Sequence, residues 1–307
     1  QVQKLAIQGR DWTSLALLAP GNRTTDMGST PVQDRADVRE FQLNMDGQQV
    51  TQQLGIGGQP LYSRDSIAEF QFISNRFDAT QGRSSGVQVN AITKSGTNTL
   101  SGLFGAWFRD SDWNAEDHVL NQVVPFSNQQ MSIAVGGPIL RDKLHFFANY
   151  EYDRSPKTSV WNTPVPAFNI SLEGTQAKKI GGFRLDYQIA SNMRLMGKVH
   201  AANDNNPFGT GSATLHPAST NSEDRDNREY LGQFTHVLNN RALNEVKVGF
   251  SEWNVLQGNL TDWSNHWAKD IGVTEGHPRI QMVGLTIGGN QNAPRVRDQN
   301  SYMFRDD

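Results

Sequence analysis

The 307 residues contain no cysteine, carry a formal net charge of −3 and are 19% charged. This excludes a disulfide scaffold, a thiolate metal centre and a cysteine nucleophile, and without a basic stripe no nucleic acid is expected as a partner. Mean hydropathy is −0.58, and no run of about 18 apolar residues occurs, which excludes a transmembrane helix. It does not exclude a transmembrane barrel, whose strands alternate lipid-facing and lumen-facing residues and so average to an unremarkable hydropathy.

Residues 9–21 (GRDWTSLALLAPG) predict a short helix, with Asp11 at its start, Trp12, Leu15 and Leu18 on one face, and Pro20-Gly21 as its stop. A polar loop follows to about Asp37. Glu40 to Met45 alternates as a strand, and Asp46-Gly47 is a hairpin turn signal. Gln48 to Leu61 is Gln- and Gly-rich and reads as an exposed loop. Asp65 to Glu69 reads as one helical turn, leading into a strand that begins at Phe70. Val87, Val89, Ala91 and Thr93 alternate with Gln88, Asn90, Ile92 and Lys94, and Ser95-Gly96-Thr97-Asn98 reads as a tight turn.

From Thr99 the character changes to longer amphipathic strands. Phe104, Ala106 and Phe108 share a face. Met131, Ile133 and Val135 oppose Gln130, Ser132 and Ala134, and Gly136-Gly137-Pro138 reads as the turn that follows. Leu144, Phe146, Ala148, Tyr150 and Tyr152 oppose His145, Phe147, Asn149 and Glu151. Phe183, Leu185, Tyr187 and Ile189 oppose Arg184, Asp186 and Gln188. Beyond the Ala190-Ser191-Asn192 turn, Met193, Leu195, Gly197 and Val199 oppose Arg194, Lys198 and His200. Tyr230 to Leu238 reads as a strand with unassigned faces, and Val246, Val248 and Phe250 oppose Glu245, Lys247 and Gly249.

Short connections alternate with long ones, over residues 110–121, 154–177, 204–228 and about 255–294. That is the layout of periplasmic turns and extracellular loops, although alternation with hairpins also describes soluble antiparallel proteins. The charged run Glu223 to Glu229 reads as a solvated loop. A strand begins at Ser301, and with Gln1 in place of Met and no signal peptide the chain is expected to be truncated at both ends.

Two apparent motifs fail on context. Residues 82–86 (GRSSG) match G-x-S-x-G, but a strand follows where a nucleophile elbow needs a helix. Residues 110–114 (DSDWN) begin like a calcium loop, but Ala115 and Asn121 stand where Gly and Glu are required. The seven histidines show no metal spacing, and His145 and His200 read as hydrogen-bonded wall residues. No metal, cofactor or catalytic residue is expected.

Residues 9–21, 41–50 (FQLNMDGQQV), 65–72 (DSIAEFQF), 77–102 (FDATQGRSSGVQVNAITKSGTNTLSG) and 126–154 resemble TonB-dependent outer-membrane receptors, in the Oar-like branch. The resemblance implies a mainly β protein: a small α+β plug domain over 1–98, then the first seven or eight antiparallel strands of a transmembrane β-barrel over 99–307, itself incomplete. It implies the bacterial outer membrane, with TonB (through an upstream segment), outer-membrane lipid and a small ligand such as a siderophore, glycan or peptide as partners. A structural or adhesive protein on the same scaffold is the alternative. Ligand contacts are expected from the apical loop: Gln48, Gln49, Gln52, Gln53, Gln59 and Tyr62. Plug and barrel are expected to meet through Asp46, Gly47, Arg83, Gly86, Asn90, Lys94, Gly96, Arg184, Asp186, Arg194 and Lys198. A polar wall must satisfy the plug's polar surface, because unpaired buried charge is costly.

Overall fold

The computed structural model describes residues 41–51, 60–74, 87–116, 123, 127–161, 163–209, 214–260, 267–274, 277–290 and 293–307. The predicted helix over 9–21, the loop after it, Gln52, Gln53, Gln59, Arg83 and Gly86 lie outside them.

Two sheets organise these residues. The smaller has the order β2-β1-β4-β3, with β1 (Phe41–Met45), β2 (Gln48–Gln49), β3 (Ile67–Ser74) and β4 (Val87–Thr93). β1 runs parallel to β4, whereas β3 is antiparallel to it. Leu43, Met45, Val50, Tyr62, Ile67, Val89 and Ala91 form its apolar core, with Phe70 and Phe72 packed against it. The Asp46-Gly47 turn forms as expected, with φ of 53° and 86°. These are values of a type I′ turn, whose twist suits a two-residue hairpin.

The larger sheet has eight strands: β5 (Ser101–Asp110), β6 (Ser127–Leu140), β7 (Leu144–Trp161), β8 (Ile170–Ala190), β9 (Met193–Asn206), β10 (Asn221–Asn239), β11 (Ala242–Asn259) and β14 (Arg295–Asp306). They pair antiparallel in chain order. β5 and β14 are its two edges, so the sheet does not close. Between β11 and β14 lies a separate hairpin, β12 (Arg279–Met282) and β13 (Leu285–Gly288).

The expected alternation of faces holds on β6 to β11. On β6, Gln130, Ser132 and Ala134 are buried on the inner face, while Met131 and Ile133 are exposed on the outer. β10 now has assigned faces: Asn227, Glu229 and Leu231 point inward and are buried, and Tyr230 points outward.

Several expectations are corrected. Gly136-Gly137-Pro138 is no turn but lies inside β6, and the turn is Arg141–Lys143. The glycines are there for close approach: a Cβ on Gly137 would meet Leu100, and one on Gly136 would meet Phe147. Residues 95–98 form no tight turn but an irregular strap, and a Cβ on Gly96 would lie 2.2 Å from the Phe146 carbonyl oxygen on β7. A single 3-10 turn, Arg64–Ser66, replaces the helical turn over Asp65 to Glu69, and β3 begins at Ile67. Residues 154–161 and 170–177 extend β7 and β8, and residues 221–228 belong to β10. The run Glu223 to Glu229 is therefore strand, and Glu229 is fully buried. These stretches lack an apolar face, so it is backbone pairing with the neighbouring strand that makes them extended.

The connections at the far ends of the long strands touch one another. Thr286 N–H donates to Thr214 O at 2.8 Å, and His216 N–H to Thr286 O at 2.9 Å. His216 Nε2 lies 2.8 Å from Phe168 O.

Candidate functional site at the contact between the sheets

The β1–β2 turn carries Asp46 toward the inner face of the wall. Its carboxylate is shared between its own sheet and the wall. From its own sheet it accepts from the Thr93 N–H and Thr93 hydroxyl, each at 2.9 Å. From the wall, Lys198 Nζ on β9 donates at 2.8 Å, and Arg184 Nη1 on β8 stands 3.4 Å away. Arg184 also donates to Thr93 O and Oγ1, both at 3.0 Å. The side chains of Asp46, Lys198 and Arg184 are only 5%, 3% and 11% exposed. Burial alone pushes the Asp46 carboxyl up, but Lys198, the Thr93 N–H and Arg184 outweigh it and hold the group below its ordinary value. Asp186 fixes Arg184 from the wall side at 2.8 Å and also takes Arg194 at 2.5 Å.

A second set of contacts comes from residues 61–66. The Tyr62 hydroxyl donates to Glu229, and its ring stacks on His200 with centroids 3.8 Å apart and planes 3° from parallel. Burial, and then the adjacent Glu229 carboxylate, push the Tyr62 phenol well above its ordinary value. His200 Nε2 lies 2.9 Å from Leu61 O. Ser63 Oγ donates to Glu151 at 2.6 Å, Glu151 accepts from Gln130 at 2.7 Å, and the Ser132 hydroxyl donates to Asp65.

Of the expected contact residues, Asp46, Arg184 and Lys198 meet across the gap, and Gly47 lies beside Lys247. Gly96 presses on the wall backbone. Asp186 and Arg194 stay within the wall, as do Glu245 and Lys247, which pair with each other at 2.5 Å. Asn90 stays within its own sheet, accepting from Asn44 at 2.8 Å. Lys94 N–H donates to Ser66 O; burial pulls the Lys94 ammonium below its ordinary value, with Asp65 opposing.

Gln48 and Tyr62 are corrected. They do not stand on an exposed loop but are buried against the wall, Gln48 beside Gly249 and Tyr62 on His200. Among the described residues, Gln48 and Gln49 line an open cavity of about 580 Å³ between the sheets, with Asp46, Arg184, Lys247 and Arg305. Glu229, Glu151, Ser132 and Asp65 were not singled out by sequence. For Glu229 the available signal was its alternation with Tyr230, Gly232 and Phe234, masked by the acidic residues before it.

The wall itself decides the family. Residues 92–171 and 167–307 match the outer membrane beta barrel domain. The chain belongs to this outer-membrane β-barrel family. It is 27% identical over 305 residues to the TonB-dependent transporter Oar of Myxococcus xanthus, an alignment covering 91% of this chain and 25% of that one. The chain thus spans about a quarter of the length of that relative. The outer membrane transporter YddB of Escherichia coli superposes with a TM-score of 0.63 at 12% identity, over 87% of this chain and 37% of that one. A ferric enterobactin receptor mutant (PfeA, G324V) of Pseudomonas aeruginosa superposes at 0.57 and 12%, over 87% and 37%. At that identity these two structures speak for the fold alone. The larger sheet is accordingly part of a barrel wall in the bacterial outer membrane, its exposed apolar face toward lipid. The smaller sheet packs against the inner face of this wall.

Proposed function

We propose that this chain supplies the plug (residues 1–98) and the adjoining wall (residues 99–307) of a transporter that takes up a scarce ligand through the outer membrane, driven by TonB. The observation that carries this reading is the sharing of Asp46 between Thr93 of the plug and Arg184 and Lys198 of the wall. Buried ion pairs and hydrogen bonds of this kind fix position strongly but contribute little net stability over alternatives that keep every group satisfied. A plug held this way sits in one place at rest, and a pull that admits water can exchange its partners. An apolar seam of equal area would resist the same displacement, because each buried methylene costs about 0.8 kcal/mol to expose.

Ligand reaches such a plug from the side of the long connections. The joined segments around residues 214–220 and 277–290 are the surfaces nearest that entrance. A neighbour is named as a ferric enterobactin receptor, which makes ferric siderophores the first class to try, followed by glycans and peptides. No bond is made or broken in this reading, so no residue is given a catalytic role. The test is uptake of labelled ligands from these classes by cells carrying the full-length protein, with and without a protonophore. Energised transport requires uptake that collapses with the protonophore; uptake indifferent to it overturns the reading.

A further inference from the structure

The lipid-facing wall is not uniformly convex. Gly197 on β9 and Gly232 on β10 are direct register partners, and both point outward, since Lys198 and Leu231 beside them are buried inward. A Cβ on Gly197 would meet nothing within 4 Å, and one on Gly232 only the Val248 carbonyl oxygen at 4.0 Å. Two residues toward the extracellular end, Phe183, Tyr230, Phe250 and Tyr302 form a ridge on strands β8, β10, β11 and β14. The glycine floor and this ridge enclose an open groove of about 510 Å³.

We infer that this groove is a specific site for one acyl chain of a glycerophospholipid from the periplasmic leaflet. Position and chemistry both argue for it. Gly197 stands five residues above the Ser191–Asn192 turn, about 17 Å along the strand and about 12 Å in depth at a tilt of ~45°. That is half of an apolar band ~25 Å tall, the reach of an acyl chain rooted in the nearer leaflet. The floor and ridge offer it aromatic faces, backbone and the aliphatic side chains of Leu185, Val199 and Val248, and a methylene chain lying along them gains dispersion contacts.

Charge selects the leaflet. On the outer face above the ridge, register places Asp224, Asp226, Glu252 and Asp298 against Lys179 and Arg228, an excess of acid. A phosphorylated headgroup entering from that side is repelled. On the periplasmic side the exposed turn residue Arg241 offers a cation, with Asp306 the one acidic residue among the outward positions below the groove on β8 to β11 and β14.

The experiment is native mass spectrometry of the full-length receptor, equilibrated with vesicles of phosphatidylethanolamine and phosphatidylglycerol and released in mild detergent. Gly197→Leu combined with Gly232→Leu fills the groove without a clash. Gly181→Leu, at an outward glycine whose nearest neighbour is Tyr150 at 3.7 Å, is the control. Wild type and control are expected to retain one diacyl phospholipid, and the filled variant to lose it by roughly tenfold or more, the equivalent of a few methylenes. Retention that is indifferent to filling, a retained outer-leaflet glycolipid, or a dimer that falls apart in the filled variant each overturns the proposal.

Discussion

Asp46 and Gly47 both hold positive φ, 53° and 86°, and that backbone turn is what aims the Asp46 carboxylate at the wall. Lys198 is 3% exposed and makes its ion pair with Asp46. Asp46→Asn therefore leaves the buried Lys198 ammonium facing a neutral partner, while Arg184 keeps Asp186, and breaking such a pair costs about 3–5 kcal/mol. The expected result is loss of hydrogen-exchange protection at the Thr93 amide, which donates to Asp46. Asp46→Asn with Lys198→Met should recover most of it, because no charge is then left unpaired. The pH dependence has a definite sign. Asp46 is held below its ordinary value in the folded state, so its contribution is complete above the unfolded carboxylate pKa of ~3.9 and is lost as pH falls through the lower folded value. Protection at Thr93 should accordingly hold from neutral pH to about 5 and decline in stronger acid; protection unchanged in Asp46→Asn at neutral pH removes Asp46 from this role. The turn and its aspartate were legible in the sequence, since Asp-Gly after an alternating strand has few other readings. Glu229 was not, because neighbouring charges hid its inward phase.

The elements most often misread are the ones shaped by what lies across from them. Gly136-Gly137-Pro138 carries every local mark of a turn, yet it continues β6 because the strap of residues 94–100 presses on it. Local propensity had no access to that partner. The polar halves of β7, β8 and β10 read as loops for a related reason: they show no apolar face, and their extended form rests on backbone pairing with the neighbouring strand. Where one face meets the plug and the other meets lipid, as from Leu144 to Tyr152, alternation alone was enough. The strap makes a prediction at this scale. On Gly96 a Cβ would stand 2.2 Å from a backbone oxygen of β7 and 2.8 Å from one of β6, and neither strand can yield cheaply. Gly96→Val should destabilise the seating of the strap by about 1–3 kcal/mol, visible as easier protease entry between plug and wall. Gly102→Ala, whose Cβ would make an ordinary 3.4 Å contact, should stay within about 0.5 kcal/mol. Equal behaviour of the two would mean that the strap does not press on the wall.

Among the described residues, the plug meets the wall through two larger polar groups of contacts, one at Asp46 and one over residues 61–66, besides the hydrogen bond from Trp253 Nε1 to Val50 O. They differ in reach. The Asp46 group hangs from a turn, whereas Tyr62, Ser63 and Asp65 enter the wall from closely spaced positions around a 3-10 turn and engage β10, β7 and β6 together. A transport stroke that displaces the plug as a body must break both groups, while one that peels the plug from its first strand can leave the second intact. Asp65 and Ser132 carry short side chains that already touch, so replacing both with cysteine ties this second group without long spacers, in a chain that has no other cysteine. Under body displacement, oxidation of Asp65→Cys/Ser132→Cys in the full-length receptor should abolish energised uptake, and reduction should restore it. Under peeling, uptake should persist with the bridge formed. We expect the first outcome, because the 61–66 contacts fill the wall's inner face between β6 and β10 and a path past the plug has to open there. Full bridging with undiminished uptake would rule that path out and leave the Asp46 side, where the 580 Å³ cavity already lies, as the place where the plug gives way.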